Sequence, residues 1–255
     1  MAQTTATHLP TRGSVVRAVW IWSRAIPLFV ILGIVFLILR CFFRRRSVDR
    51  PLKWGCRVLI RTLGIHVGVE GMERIDPERP YTFMFNHVTV IDHIVFYGVL
   101  PHFGHGVEAT ENFRIPFYGW VARAVGNYPI SRDSPEGARE LLERCAREAN
   151  EQGFSVFCAP EGTRSTDGVL RPFKNGVFRF ALDCDREIVP LALIGLQAVL
   201  PMGEWRIRPQ PVTVRILEPV PLRDSAGELL SIVELSKRVR QAFCSAGLGE
   251  SETTT

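Results

Sequence analysis

The sequence predicts an α/β domain built on a mixed, largely parallel sheet flanked by helices, preceded by an N-terminal membrane helix and an amphipathic helix. Three observations carry this expectation. From residue 67 on, short β-branched and aromatic runs alternate with segments of helical periodicity. Residues 26–39 contain no charge at all. Several strand-like runs end abruptly in polar turns, the arrangement of folds in which function gathers at strand ends. At 255 residues the chain can hold one large domain with an appendage.

Residues 1–14 are polar and aperiodic and are expected to be disordered. Residues 15–65 are expected to anchor the protein to a membrane. The apolar stretch 15–43, with Trp20, Trp22, Phe42 and Phe43 flanking its uncharged centre, is long enough to cross a bilayer, which takes about 20 apolar residues. The uncharged centre is shorter than that, so a helix that dips into one leaflet is the alternative. Arg44, Arg45 and Arg46 follow at once and outweigh Arg12 and Arg17, which by the positive-inside rule places the rest of the chain on the cytoplasmic side of an inner membrane. Across 52–65, Leu52, Cys56, Leu59, Ile60 and Leu63 recur at helical spacing with Lys53, Arg57 and Arg61 between them. That pattern suits an amphipathic helix on anionic lipid; a domain helix with a solvated basic face would show it too.

The α/β domain is expected over 66–247. Strands are predicted at 67–70, 81–85, 106–109, 128–131, 154–159, 188–194 and 212–217. Helices are predicted at 90–100, 115–125, 176–183 and about 228–246. A further long helix is marked by Ser134 at its cap, Pro135 at its first position and Gly153 at its end. Residues 248–255 are expected to be a disordered tail.

The net charge of +5 suits an acidic partner, and the placement of the arginines beside the apolar stretch favours anionic lipid over nucleic acid. The six cysteines form no metal-spaced pair and sit in apolar or helical runs, as reduced core thiols do.

The first chemistry-bearing stretch is Asn86-His87 followed by Asp92. In one straight helix a histidine and a carboxylate five positions apart would point about 140° away from each other. Thr89 and Asp92 have the spacing of a capping box, which puts His87 in the turn before a helix and Asp92 in its first turn, where the two can meet. A base oriented by an acid can take a proton from a hydroxyl; a capped helix beside an ordinary loop histidine has the same sequence. The second stretch, Glu161-Gly162-Thr163-Arg164-Ser165, ends another buried run with a carboxylate, backbone donors, two hydroxyls and a guanidinium, a set suited to an anion beside an alcohol. Lys174 adds a cation at the start of a helix, and 126–132 closes a strand on Arg132. Cys158, beside the second stretch, reads as a buried thiol because its neighbours are apolar.

Taken together, these stretches resemble the four blocks of the glycerolipid acyltransferase family, whose best-known members are the 1-acylglycerol-3-phosphate acyltransferases. Asn86-His87 with Asp92 resembles the first, 126–132 the second, 161–165 matches the third, and 188–191 resembles the fourth, in the right order. The similarity covers roughly 52–221. The resemblance implies transfer of a fatty acyl group from acyl-CoA or acyl carrier protein to the free hydroxyl of a lysolipid, foremost 1-acyl-sn-glycerol-3-phosphate, giving phosphatidic acid in phospholipid biosynthesis. It implies His87 as general base and Asp92 as its orienting acid. Asn86, Arg132, Glu161, Gly162, Thr163, Arg164, Ser165 and Lys174 would serve substrate binding. Direct attack on the thioester needs no metal, no acyl-enzyme and no cofactor beyond the donor itself. One departure stands out: members using lysophosphatidic acid usually carry a lysine where this chain reads Glu108-Ala109-Thr110-Glu111-Asn112. The alternatives are therefore another acceptor, such as a lyso-ornithine lipid or other lysophospholipid, or a catalytically silent lipid-binding homologue.

Overall fold

The computed structural model describes residues 12–131 and 133–249. The chain begins with two helices, α1 (Arg12–Phe42) and α2 (Arg45–Thr62), and continues through β1 (His66–Glu70), β2 (Thr82–Phe85), α3 (Asp92–Val99) and β3 (Gly104–Ala109). A 3₁₀ turn (Thr110–Arg114) leads into α4 (Tyr118–Val125) and β4 (Tyr128–Ile130). Then come α5 (Pro135–Gln152), β5 (Ser155–Cys158), α6 (Asn175–Asp183), β6 (Ile188–Ile194), α7 (Leu196–Val199), β7 (Pro211–Ile216) and α8 (Ile232–Ser245).

The seven strands form one sheet in the order β1-β7-β6-β2-β5-β3-β4. Every neighbouring pair is parallel except β6 with β7. The mixed, largely parallel sheet is therefore as expected, and no strand end lies more than two residues from its predicted place. Central β2 and β5 are buried along their whole length, which is why they read as continuous apolar runs and not as alternating ones. One core packs α1, α2 and α3 onto one face through Ile60, Val95, Phe96 and Phe157. Another packs α6 and α8 onto the opposite face through Phe178, Leu235 and Phe243.

Several boundaries differ from expectation for physical reasons. Helix α2 starts at Arg45, not residue 52, because it runs through Pro51; the carbonyl left without a donor, on Ser47, lies at an exposed position where water can bond it. Helix α8 starts at Ile232, not near 228, because Asp224 accepts from the amides of Ala226 and Glu228 and folds that segment into a turn, leaving Ser231 to cap the helix. The expected disordered N-terminus is helical from Arg12 on, and the rest of it lies outside the described residues. Gly249 accepts a bond from the Leu170 amide, so the domain extends past 247; tail residues 250–255 lie outside the described residues.

The arrangement of the first two helices corrects one expectation. The apolar face of α2 turns inward, with Cys56, Leu59 and Ile60 buried, and Lys53 does not belong to an outward basic row. Its ammonium is buried, pairs with Asp49 one turn earlier at 2.5 Å, and donates to the carbonyls of Pro101 and His102. A lysine on the core side stays charged only by taking such partners. Helix α1 is long and apolar enough to cross a membrane. Yet it is held to the domain at two points, one about a third of the way along and one near its C-terminus: Trp22 donates to the Trp205 carbonyl at 2.7 Å and Arg40 to the Ala124 carbonyl at 3.1 Å. Those anchors are roughly 27 Å apart along the helix. Between them Gly33 receives the ring of Phe117, whose Cζ would lie 2.5 Å from any Cβ there. The opposite side of α1 exposes Ile31, Ile34, Val35, Ile38 and Phe42, one stripe at helical spacing.

Candidate active site

The site begins where β2 ends. Asn86 is buried, and its amide is spent on β6: Oδ1 accepts from the Leu193 N–H at 2.7 Å and Nδ2 donates to the Leu193 carbonyl at 3.4 Å. The strand exit is thus tied to its neighbour, and His87 leaves the sheet edge at a set point. Its Nδ1 lies 2.7 Å from Asp92 Oδ2. The Asp92 carboxylate, fully buried, also accepts from the amides of Val88 and Thr89 at 2.9 and 3.0 Å and from the Thr89 hydroxyl at 2.7 Å. An ionised carboxylate only accepts, so its partner Nδ1 carries the proton and Nε2 is left with a free lone pair. The His87 side chain keeps 20% of its surface exposed while Asp92 keeps none, which leaves the imidazole as the member of the pair a substrate can reach.

The pair forms as expected, by a slightly different route. Half of the capping box is present, the Asp92 carboxylate accepting from the Thr89 amide. The other half is not: the Thr89 hydroxyl gives its proton to that same carboxylate and accepts from the Ile91 amide. Helix α3 consequently begins at Asp92, two residues later than predicted. A carboxylate that gathers donors from 87, 88 and 89 draws them into a loop too tight to be helical.

The stretch 161–165 does something the sequence did not foretell. Glu161 is buried; one carboxylate oxygen accepts from the His87 amide at 3.1 Å and the other from the Arg171 amide at 2.8 Å. The Ser165 amide donates to the His87 carbonyl at 2.7 Å, and its hydroxyl is taken up within its own loop by Asp167 and Val169. His87 is therefore held at its amide and carbonyl by the 161–165 stretch and at its ring by Asp92. Burial pushes the Glu161 carboxyl above the usual glutamate range, against the pull of those two amides. Gly162 makes the turn between them at φ +68, where any side chain would be strained.

Thr163 and Lys174 are exposed and Arg164 is half-buried, and the side chains of all three are without a hydrogen bond or ion pair among the described residues. Lys174 directly precedes α6 and packs its stem against Gly162. Arg132 lies outside the described residues. Cys158 is buried, its thiol pushed up by burial, which suits a core residue and not a nucleophile.

Beside the pair an apolar cavity of about 230 Å³ lies between α1, α2, α3 and α4. Phe29, Leu32, Phe36, Leu59 and Val121 form much of its wall. Two lining residues went unmarked as site candidates: His93, next to Asp92, and Glu108, near the end of β3. The only local signal was a carboxylate inside a strand-forming run, 104–109.

The chain is similar to known proteins in sequence and in fold. The family model described as Acyltransferase matches residues 66–194. The chain is 28% identical over 216 residues, 82% of its length, to a 1-acyl-sn-glycerol-3-phosphate acyltransferase of Chlamydomonas reinhardtii. It is 30% identical over 79% of its length to the chloroplastic 1-acyl-sn-glycerol-3-phosphate acyltransferase LPAT1 of Arabidopsis thaliana. It spans 64% and 56% of those two relatives' lengths. The crystal structure of the 1-acyl-sn-glycerophosphate acyltransferase PlsC from Thermotoga maritima shares the fold, with a TM-score of 0.72 over 95% of this chain and 98% of that one, at 24% identity.

Proposed function

The chain belongs to the acyltransferase family, and on that premise we propose that it moves a fatty acyl group from acyl-CoA or acyl carrier protein to the free hydroxyl of a lysolipid, foremost 1-acyl-sn-glycerol-3-phosphate. The observation that carries this reading is the His87–Asp92 contact at 2.7 Å, with the accepting nitrogen of the imidazole left for substrate. His87 Nε2 takes the hydroxyl proton as the oxygen attacks the thioester carbonyl. Asp92 stabilises the imidazolium that results. As the tetrahedral intermediate collapses, the sulfur leaves and receives that proton, so histidine ends as it began.

In this reading Asn86, Glu161, Gly162 and Ser165 position the histidine. Thr163, Arg164 and Lys174, whose side chains are uncommitted, bind the acceptor headgroup together with Arg132. The apolar cavity receives an acyl chain. Incubation with labelled acyl-CoA or acyl carrier protein and a panel of lysolipids tests the assignment. Lysophosphatidic acid is expected to be the best acceptor, and acylation of none of them would refute it. A second reading keeps the chemistry and changes the acceptor. It rests on Glu108, a buried carboxylate in the region where a lysine was expected, and it predicts that an amine-bearing lysolipid outperforms lysophosphatidic acid in the same panel.

The two anchors of α1 support a membrane partner. A helix tied to one domain at two points along its length lies along the bilayer face, sinking its exposed apolar stripe into one leaflet, with exposed Trp54 and Trp120 beside it. Exposed Arg46, Arg50 and Arg57 on α2 would then meet anionic headgroups. With protein bound to the outside of sealed anionic vesicles, a tag placed before residue 12 should be cleaved by external protease as readily as the catalytic domain. Protection of the tag alone would show a crossing helix.

A further inference from the structure

The cavity wall is apolar except at one place. Glu108 is buried there, and its carboxylate accepts from Tyr118 Oη at 2.6 Å, Asn112 Nδ2 at 3.3 Å and Asn127 Nδ2. All three donors are neutral, and the carboxylate makes no ion pair among the described residues. Of its roughly four acceptor positions, three are used, so one on Oε1 is open. His93 lines the same cavity, its ring against Phe85 and Phe96, and neither of its nitrogens has a hydrogen-bond partner among the described residues. Burial lowers its pKa, which leaves the imidazole neutral, with one donor and one acceptor unspent. A buried charge and an unpaired imidazole facing plain hydrocarbon would both be costly.

We propose that His93 and Glu108 form a polar notch that recognises a hydroxyl group carried on the fatty chain lodged in the cavity. The proposal rests on the acyl-transfer reading above. The chemistry is complementary: a hydroxyl has one proton to give and lone pairs to receive with, and the notch offers a carboxylate lone pair and an imidazole N–H. Its position selects which hydroxyl. The His93 and His87 rings are 6.2 Å apart between centroids, so the notch faces the first few carbons of the chain, at its carboxyl end. The chain could belong to the thioester donor or to the lysolipid, and the test separates the two.

The experiment compares kcat/KM for 3-hydroxyacyl-CoA and unsubstituted acyl-CoA of one chain length with a fixed acceptor. In a second arm the lysolipid's own chain carries or lacks the hydroxyl. The hydroxylated substrate should be preferred about tenfold in one arm, the yield of one hydrogen bond to a charged acceptor. His93→Phe, which keeps a ring against Phe85 and Phe96, should bring that ratio towards one, as should Glu108→Gln, whose amide nitrogen must turn towards one of its former donors. Ratios near one in both arms for the unaltered protein would overturn the proposal, as would an unchanged preference in folded His93→Phe. Failure to acylate any acceptor from either thioester would refute the acyl-transfer reading, and the notch with it.

Discussion

Asp92→Asn should lower kcat by about 10³-fold or more, on the order of the loss from removing the base outright in His87→Ala. The Val88 and Thr89 amides and the Thr89 hydroxyl all point at the Asp92 carboxylate and need an acceptor. In the asparagine variant the amide oxygen stays with the two Thr89 donors that share Oδ1, and the NH₂ group takes the place of Oδ2, facing His87 Nδ1 at the cost of the Val88 bond. The imidazole then accepts at Nδ1 and carries its proton on Nε2, the nitrogen that should be taking a proton from the substrate. Turnover measured with saturating lysophosphatidic acid and acyl-CoA checks this, with thermal unfolding to show that the variant is folded. A folded Asp92→Asn within tenfold of the original kcat would mean that the aspartate only caps α3.

Glu161→Gln should cost about 10² in kcat while leaving KM for the lysolipid within about twofold. The two carboxylate oxygens accept from amides on different segments, those of His87 and Arg171. A glutamine has one oxygen for two donors, and its NH₂ would confront the other N–H. The His87 backbone shifts, and misplacing a base by about 1 Å is enough for a loss of this size. Were Glu161 a headgroup ligand, as the resemblance implied, KM would rise instead.

Stability offers a second readout of the same substitution. Burial raises the Glu161 carboxyl in the folded protein, so the folded state holds that proton more tightly than the unfolded chain does. Its contribution to stability is greatest at low pH and is lost as the pH rises from about 4.3 through the folded pKa. The glutamine variant has no such term. Its melting temperature relative to the original protein should therefore climb with pH over that window, while its activity stays low. A gap in melting temperature independent of pH would show that the buried carboxyl is not the source.

How much of the molecule could be read in advance depends on the range of the interaction involved. The order of strands and helices from residue 67 on, the short α7 apart, followed from hydrophobic periodicity, which is local. The helix at 135–152 was legible from its Ser134 cap and Gly153 stop for the same reason. The His87–Asp92 pair spans five residues, so the chain's own turn brings it together and the sequence was enough to find it. Helix starts at 45, 92, 118 and 232 were missed because side-chain bonds and prolines outweighed propensity there.

The sequence by itself determined the α/β architecture, the His87–Asp92 pair and the family. Only the tertiary structure decided what the surrounding polar residues bond to. Asn86 meets Leu193 across 107 positions and Glu161 meets His87 across 74, so residues that looked like ligands for a headgroup are bonded to the scaffold. Helix α1, long enough to cross a bilayer, is held along the domain by contacts to Trp205 and Ala124 that no hydropathy profile contains. His93 and Glu108 share a cavity only because α3 and β3 enclose it together with α1. Residue type and spacing specify what a group can bond. Which of its bonds remain free for a substrate depends on partners that folding brings from far along the chain.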